Sequence, residues 1–345
     1  MPKRGRTRKR NWGVQDIDTP TRVANSRQET PSGRTPEDRV YFSDIEPNAL
    51  LVSPYGSLAF VLWEGQECLC RVADSLLDRK RSILAPGDEV LVERLEDKPF
   101  VKAVRHRRNK LSRPAIGQNR EKVFAANIDL AVVVAAAAKP YFNPGFIDRY
   151  LIAAQVGNVE PLVCLNKIDL VSQEPPQLQL YRDMGVRVVN TSCTNGDGLE
   201  ELRDCLTGRI SVLAGNSGVG KSSIINALDP RHELVTREIS ESTQRGQHTT
   251  TASRMYELRG GIRIIDTPGI RQLGLWGVVP EELDFYFHEF TDFSKSCRFR
   301  NCTHTHEPSC AVKTAVEEEM LPRARYESYL RIRRTLDEND RPTSD

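Results

Sequence analysis

A glycine-rich octapeptide in the middle of the chain combines residue types suited to holding phosphate. Residues 215–222 read Gly-Asn-Ser-Gly-Val-Gly-Lys-Ser, between an apolar segment at 210–214 and a helix-like segment at 223–228. Glycines permit a tight loop whose backbone N–H groups face phosphate oxygens, and the helix that follows adds the positive end of its dipole. The pattern G-x-x-x-x-G-K-S between a strand and a helix predicts a nucleotide-binding P-loop.

The last two residues of this loop have separate expected tasks. Lys221 should reach the β- and γ-phosphates, and the Ser222 hydroxyl should bind Mg²⁺. The expected nucleotide contacts from the loop are Asn216, Ser217, Gly218, Val219, Gly220, Lys221, Ser222 and Ser223.

A second motif indicates which base the loop serves. Asn166-Lys167-Ile168-Asp169 follows the apolar segment 161–165, which looks like a buried strand. Guanine presents two adjacent N–H donors, and the Asp169 carboxylate can accept both, whereas adenine would leave that carboxylate unpaired. We expect Asn166 to bond the N7 and O6 edge and the Lys167 stem to cover the ring. The motif therefore favours GTP or GDP over ATP.

Three further segments complete the expected site. Residues 188–193 look like a strand that ends in Thr191, Ser192 and Cys193, a turn able to contact the base through its backbone. The strand-like segment 262–266 ends at Asp266, which we expect to hold Mg²⁺ through water, and the Gly269 amide should sense the γ-phosphate. Of the threonines at 249–251, we expect Thr250 to complete the Mg²⁺ shell, with its two neighbours as alternatives.

A cysteine cluster near the C-terminus predicts a metal site. Cys297, Cys302, His304 and Cys310 supply three thiolates and one imidazole within fourteen residues. This ligand set suits tetrahedral Zn²⁺ and leaves no open position, so we expect one structural zinc ion. His306 competes with His304 as the fourth ligand. The spacing is not that of a C₂H₂ finger, so sequence-specific reading of duplex DNA is not expected.

Composition excludes several classes of protein. The 345 residues carry 49 Lys+Arg against 47 Asp+Glu and are 39% hydrophobic, as in an ordinary globular protein. The longest apolar run, residues 130–138, is much shorter than the about 20 residues that a membrane helix needs. The basic N-terminus is not followed by a hydrophobic segment, so a secretory signal is not expected. We expect a cytoplasmic protein without a membrane segment.

The charges are unevenly distributed along the chain. Residues 1–40 hold ten Lys/Arg against five Asp/Glu and are poor in apolar residues, which predicts a disordered basic arm. A second basic cluster of seven Lys/Arg runs from Lys98 to Arg113. Between the two, five short strand-like segments in residues 49–104 indicate a small closed barrel of the OB-fold type. Two basic clusters around one small domain favour a polyanionic partner.

The motifs occur in an unusual order, because the base motif precedes the P-loop. In this order, together with the barrel before them and the cysteine cluster after them, the chain resembles the RsgA (YjeQ, EngC) family of ribosome small-subunit-dependent GTPases. The resemblance covers about residues 45–335, including the segments Asp148-Arg-Tyr-Leu151, Gly246-Gln-His-Thr-Thr-Thr251 and Pro268-Gly-Ile-Arg271. It implies a circularly permuted GTPase that binds the 30S subunit and its 16S rRNA late in maturation, hydrolyses GTP when the subunit stimulates it, and leaves. The family pattern also favours His304 over His306, and we expect a monomer.

The residue that activates water is not the usual one. Many GTPases carry a glutamine directly after the Asp-x-x-Gly motif, but Ile270 stands there in this chain. His248, beside the threonine run, could orient the attacking water or accept its proton, and the resemblance favours this role. A group supplied by the ribosome is the alternative.

The predicted fold is therefore multidomain. A basic arm at 1–44 precedes an OB-fold barrel at 45–113, a circularly permuted α/β P-loop GTPase domain at 114–275 and a small α-helical zinc-binding domain at 276–345. Two functions compete with a hydrolytic switch: a non-catalytic, nucleotide-tuned rRNA-binding assembly protein, and an ATP-driven RNA remodeller, which conflicts with Asn166 and Asp169.

Overall fold

The structure is a computed structural model of the 345-residue chain. It describes residues 41–42, 44–77, 83–115, 118–231, 253–267 and 274–340. The expected arm at 1–44 lies almost entirely outside the described residues.

The N-terminal domain is a five-stranded closed barrel with one short added strand. Strands β1 to β6 are Tyr41–Phe42, Ala49–Tyr55, Leu58–Trp63, Gln66–Val72, Glu89–Leu95 and Lys98–Arg105. The sheet order is β1-β6-β4-β3-β2-β5, and β5 also pairs with β6, which closes the barrel. Alternate residues such as Leu51, Val61 and Val101 point inward and are fully buried. The predicted barrel is confirmed, and its five main strands lie between residues 49 and 105, close to the expected range 49–104.

A β-hairpin that the sequence did not predict connects the barrel to the next domain. Strands β7 (Lys110–Ala115) and β8 (Gln118–Ala126) pair with each other in a separate two-stranded sheet. The boundary expected between residues 113 and 114 falls inside β7. The hairpin packs closely against the barrel, since a Cβ added at Gly87 would lie 2.1 Å from the Ala126 carbonyl oxygen.

The middle domain is a doubly covered α/β sheet. Its strands are β9 (Leu130–Ala136), β10 (Glu160–Asn166), β11 (Arg187–Thr191), β12 (Ile210–Ala214), β13 (Arg254–Leu258) and β14 (Ile262–Asp266). Their order is β11-β10-β9-β12-β14-β13, and only β13 runs antiparallel to its neighbour. The apolar run that was too short for a membrane is the central strand β9, which is buried along its whole length.

Four helices cover the two faces of this sheet. They are α1 (Pro144–Val156), α2 (Gln177–Asp183), α3 (Leu199–Leu206) and α4 (Lys221–Leu228). One apolar layer includes residues of α1 and α2, and the other includes residues of α3 and α4. Near-continuous apolar strands require cover on both faces, which is why the sheet has two such layers.

The C-terminal domain is helical but less regular than expected. Residues 280–290 form 3₁₀ turns, at Pro280–Tyr286 and His288–Phe290, and not a regular α-helix. Three α-helices follow, α5 (Thr291–Ser294), α6 (Ala311–Glu317) and α7 (Arg323–Asp340). Phe287, Phe290 and Tyr329 of this domain belong to the same apolar layer as α1 of the GTPase domain.

A buried ion-pair network ties this domain to the GTPase domain. Arg325 on α7 bonds Asp148 on α1 and lies 2.5 Å from a Glu289 carboxylate oxygen. Tyr181 donates to the same Asp148 carboxylate at 3.0 Å, and the Arg325 guanidinium lies 4.4 Å above the Phe287 ring. Because Arg325 and Asp148 are almost fully buried, the pair fixes how the two domains meet.

Among the described helices, none is both long and apolar enough to cross a membrane.

Candidate nucleotide and metal sites

The carboxyl ends of four parallel strands meet at one edge of the sheet, and each ends in a predicted motif. Strand β10 ends at Asn166, β11 at Thr191, β12 directly before the P-loop, and β14 at Asp266. Ligands of open α/β sheets bind at this edge. Motifs separated by up to 100 residues in sequence therefore face one another in space.

The P-loop has the backbone geometry that its glycines permit. Gly218 and Gly220 have φ of +80° and +98°, values that side-chain-bearing residues rarely adopt. Helix α4 begins directly after Gly220, at Lys221. The Lys221 ammonium donates to the carbonyl oxygens of Gly215 at 2.7 Å and Asn216 at 3.0 Å, so it lies across the loop. This position is suited to an amine that contacts phosphate.

Lys221 and Asp266 are half-buried groups of opposite charge that influence each other's pKa. Burial lowers the pKa of Lys221, and the Asp266 carboxylate opposes that change. Burial also raises the pKa of Asp266, which Lys221 and the Thr267 amide partly offset. Both groups are thus poorly solvated, a condition under which a polyphosphate and its metal ion interact strongly with them.

Asn166 connects the base motif directly to the P-loop. Its side-chain amide donates to the Val219 carbonyl oxygen at 3.0 Å and its oxygen accepts from the Thr191 hydroxyl at 3.2 Å. A Cβ added at Gly220 would lie 2.2 Å from the Asn166 amide nitrogen. Glycine is therefore required at 220 both for its backbone angle and for this close approach.

Lys167 bridges two loops above the base motif. Its ammonium donates to the carbonyl oxygens of Gly218 at 2.7 Å and Lys139 at 2.5 Å. The residue itself is left-handed, with φ of +65°. Its stem thus spans the space where a base ring would lie. Lys139 was missed by the sequence analysis because it belongs to no motif, and only the sheet order places it there.

The Asp169 carboxylate is exposed and oriented by its neighbour. The Ser192 hydroxyl donates to Asp169 Oδ1 at 2.6 Å and accepts from the amides of Thr194 and Asn195 at 3.2 Å each. The Cys193 thiol lies 3.7 Å from the Asn166 oxygen, and burial raises its pKa. Because Asp169 is exposed, its carboxylate can accept N–H donors.

The remaining predicted site residues divide into two groups. Asn216, Ser217, Ser222 and Ser223 lie on the P-loop or the first turn of α4, with Ser217 and Ser222 exposed. His248, Thr250 and Gly269 lie outside the described residues.

The four predicted metal ligands form one compact group. One ligand atom from each of Cys297, Cys302, His304 and Cys310 lies within 4.8 Å of every other. The Cys297 and Cys310 sulfurs are 3.9 Å apart, and His304 Nδ1 lies 3.6 and 3.4 Å from them. A tetrahedral zinc with Zn–S near 2.3 Å places sulfurs about 3.8 Å apart. The residues fit a Cys₃His zinc site.

The surroundings of this group support metal binding through His304. His304 is buried, and its Nε2 lies 3.8 Å from an Asp284 carboxylate oxygen, an arrangement common behind ligating histidines. His306 is exposed and is not in the group. Burial alone would raise the pKa of Cys297, but the amides of Val312 and Ala311 at the start of α6 bring it below its ordinary value. The fold thus favours the thiolate form at Cys297, whereas burial raises the pKa of Cys302 to about 12 and also raises that of Cys310, so that a bound metal would be needed to stabilise those two thiolates.

The basic cluster between Lys98 and Arg113 is more neutralised than its sequence suggests. Five of its seven cations face carboxylates: Arg107 and Asp88 at 2.6 Å, Lys102 and Glu93 at 2.7 Å, Arg105 and Glu89 at 3.1 Å, Arg108 and Asp129 at 2.6 Å, and Lys110 and Glu121 at 2.9 Å. Arg107 and Asp88 are buried at the base of the barrel and serve its structure. The cluster is therefore a weaker polyanion-binding surface than its charge count predicts.

Comparison with known proteins agrees with this geometry. The model of the family described as RsgA GTPase matches residues 104–276. Proteins named small ribosomal subunit biogenesis GTPase RsgA, from Yersinia enterocolitica serotype O:8 and Yersinia pseudotuberculosis serotype O:1b, are 37% and 38% identical over 335 residues. Each alignment covers 93% of this chain and 95% of the relative.

Two solved structures have the same fold. YjeQ from Thermotoga maritima superposes with a TM-score of 0.64 at 30% identity, covering 86% of this chain and 99% of YjeQ. YloQ, described as a circularly permuted GTPase, gives 0.61 at 26% identity over 88% of this chain and 99% of YloQ. With a permuted GTPase domain between a barrel and a Cys₃His domain, the chain belongs to the RsgA GTPase family.

Proposed function

We propose that this GTPase is a ribosome biogenesis factor that binds the 30S subunit late in its maturation. Hydrolysis of GTP is stimulated by the subunit and linked to release. The observation that carries this proposal is the convergence of the base motif on the P-loop, through the 3.0 Å bond from Asn166 to the Val219 carbonyl, in a chain of this family. The names of its relatives supply the partner, the small ribosomal subunit.

We assign the nucleotide contacts as the sequence predicts them. Asp169 accepts the two guanine donors, one on each carboxylate oxygen, while the Ser192 hydroxyl orients the carboxylate, and Lys221 contacts the β- and γ-phosphates. Ser222, Thr250 and, through water, Asp266 would hold Mg²⁺, which supplies charge neutralisation on the phosphates as the bond to the γ-phosphate breaks. The half-buried setting of Lys221 and Asp266 supports this assignment, because poorly solvated charges interact strongly with phosphate and with a metal ion.

His248 is our candidate for the group that orients the attacking water. Many GTPases use a glutamine for this task, but Ile270 stands at that position in this chain and its apolar side chain cannot orient water. The expected result of His248→Ala is loss of subunit-stimulated hydrolysis with GTP binding retained. Unchanged stimulated turnover would remove His248 from the mechanism and point to a group of the ribosome.

One structural Zn²⁺ would occupy the group formed by Cys297, Cys302, His304 and Cys310. The donor set and its spacing support zinc over harder ions. Atomic absorption on the purified protein should give one zinc per chain, and Cys302→Ser should lower that ratio. A full complement of zinc in Cys302→Ser would reject this ligand set.

A contact with 16S rRNA is supported by like charges that face each other on the hairpin. Arg113 on β7 and Lys122 on β8 are directly opposite in the ladder. Burial, then Arg113 and Arg120, lower the pKa of Lys122. Among the described residues, neither Arg113 nor Lys122 has a carboxylate within ion-pair distance. Opposed like charges destabilise a sheet, and an RNA phosphate between them would relieve the repulsion.

The decisive experiment measures GTP turnover with and without 30S subunits, with 50S subunits as the control. A hydrolytic switch requires strong stimulation by 30S alone, whereas a non-catalytic, nucleotide-tuned rRNA-binding protein requires none. Binding to 30S should also weaken steeply as salt increases. Sedimentation velocity of the free protein checks the expected monomer, and localisation with ribosomes checks the expected cytoplasmic site.

A further inference from the structure

The barrel touches the GTPase domain beside the strand end that carries Asp266. Arg254 is the first residue of β13, and the antiparallel ladder places it directly opposite Asp266. Barrel residue Ser53 donates its hydroxyl to the Ser253 carbonyl oxygen at 3.2 Å. Val52 of the barrel and Met255 of β13 belong to one apolar cluster. The start of β13 is therefore attached to the barrel as well as to its own sheet.

The Arg254 guanidinium is directed to the barrel. It forms an ion pair with Glu67 on β4 and lies 5.1 Å above the ring of Phe60 on β3. Both partners belong to the other domain, and both act on the same planar group. Arg254 thus crosses the domain boundary although its nearest cross-strand neighbour, Asp266, is itself a carboxylate.

Asp266 is within reach of Arg254. Directly opposed residues in an antiparallel pair have Cβ atoms about 4.5–5.5 Å apart, which an arginine side chain easily spans. Asp266, Arg254 and Glu67 all lie near enough to Tyr256 to affect its pKa. Burial and Asp266 raise that pKa, Arg254 lowers it, and Glu67 raises it. The charge that acts on Asp266 itself is that of Lys221. Glu67 and Asp266 are thus alternative partners for one guanidinium.

We propose that Glu67 is a positioning residue, which holds Arg254 on the barrel and keeps the Asp266 carboxylate available for the nucleotide's magnesium ion. Without Glu67, the guanidinium turns to Asp266 and competes with Mg²⁺ for it. This inference rests on the proposed role of Asp266. It makes a residue of the barrel part of the support of the GTPase site.

The test compares Glu67→Gln, Arg254→Gln and the double variant in the full-length protein. The readout is the dissociation rate of a fluorescent, non-hydrolysable GTP analogue across a Mg²⁺ titration, which needs no turnover. We expect E67Q to raise the Mg²⁺ concentration for half-maximal retention three- to tenfold. The double variant should return to within twofold of the wild type, because it has no cation left to compete.

Glu257→Gln is the matched control. Glu257 on β13 pairs with Arg263 on β14 at 3.3 Å. The side chains of Glu257 and Arg263 are 44% and 32% exposed, and those of Glu67 and Arg254 are 40% and 33% exposed. Loss of this pair should leave the Mg²⁺ titration unchanged. An effect equal to that of E67Q would show a general response to lost surface charge and overturn the inference.

Two other outcomes overturn it as well. A wild-type titration for E67Q would do so, and so would an E67Q effect that persists in the double variant, since that indicates structural damage alone. If E67Q does not melt cooperatively, R254Q decides: the inference requires a titration within twofold of the wild type. Asp266→Asn separates the two proposals, because a wild-type titration for D266N rejects the role of Asp266 itself.

Discussion

At the scale of residues, the two carboxylates of the nucleotide site are held in opposite conditions. Asp169 is exposed, and its orientation comes from the 2.6 Å bond donated by Ser192. Asp266 is largely enclosed, and burial raises its pKa. An exposed carboxylate is suited to reading hydrogen-bond donors of a base, whereas an enclosed one is suited to holding a cation. In the proposed mechanism, the same side-chain type thus serves base specificity at Asp169 and metal binding at Asp266.

Asp169→Asn should change the base that the protein prefers. An amide accepts one guanine N–H but places its own donor against the other, whereas xanthine presents an oxygen there. Sites built to hydrogen-bond a ligand reject a mismatched one strongly, so we expect GTP binding to weaken at least 100-fold, in order of magnitude, and XTP binding to improve. Isothermal titration with both nucleotides measures this. Asp183→Asn, on an exposed carboxylate bonded to Gln179, should change neither affinity.

Replacement of Asp266 by asparagine should alter how stability depends on pH. The folded-state pKa of Asp266 is above its ordinary value, so the wild type gains stability as pH falls through that pKa. The Asp266→Asn variant has no carboxylate to protonate at this position, so it does not gain this stability. The stability of the variant relative to wild type should therefore be greatest near pH 7 and decline on acidification, as measured by urea unfolding without nucleotide or magnesium. A pH-independent difference would contradict the raised pKa.

At the scale of elements, loops with left-handed backbone bring the motifs into contact. Gly220 and Gly196 both have strongly positive φ, of +98° and +87°. Gly220 adjoins the Asn166 amide, whereas nothing lies within 4 Å of a Cβ added at Gly196. A comparison of substitutions at these two glycines therefore separates the free-energy cost of the backbone angle from the cost of steric overlap.

Gly220→Ala should therefore impair nucleotide binding far more than Gly196→Ala. Both changes carry the backbone penalty of roughly 1–2 kcal/mol, but only Gly220→Ala also displaces Asn166 from Val219. We expect GTP affinity to fall at least tenfold for Gly220→Ala and to stay within about threefold of wild type for Gly196→Ala. Equal losses would mean that backbone strain alone explains the glycine at 220.

The elements that sequence reasoning found are those with a local signal. The barrel strands alternate, the P-loop has fixed glycine spacing, and strands 210–214 and 262–266 have the predicted bounds. The β7–β8 hairpin was missed because Lys110 to Arg113 looked like a run of surface charge, and its partner strand has no alternation. The acids that neutralise Arg107 and Arg108 were missed because they lie 19 and 21 residues away, where only the fold could place them.

At the scale of the whole molecule, the C-terminal domain is attached by polar and apolar contacts together. Arg325 bonds Asp148 and Glu289 in a setting that is almost fully buried. Around it, Phe287 and Tyr329 continue the apolar layer of α1, and Arg149 donates to Thr335 at 3.3 Å. The segment that holds the Cys₃His group is therefore attached to the GTPase domain by a buried polar network and by shared apolar packing.

Arg325→Met should loosen this attachment. Removal of Arg325 leaves the buried Asp148 carboxylate and the half-buried Glu289 carboxylate without their cation, which costs about 3–5 kcal/mol. Arg334→Met is the control on the same helix, because Arg334 is 84% exposed and pairs with the exposed Glu338 at 3.4 Å; we expect about 0.5 kcal/mol or less. Urea unfolding measures the stability of both variants, and hydrogen exchange in α1 and α7 measures how far each variant loosens the attachment. Equal stability of the two variants would show that the apolar contacts alone hold the domains.

The apolar layer that α1 shares with Phe287, Phe290 and Tyr329 also limits how this chain can be divided. A fragment cut away before residue 280 would carry its metal ligands intact and yet expose a broad aromatic surface to water. Such a fragment should aggregate or stay loosely ordered even when saturated with zinc. We therefore expect the Cys₃His segment to reach its ordered fold only in contact with the GTPase domain that precedes it in the chain.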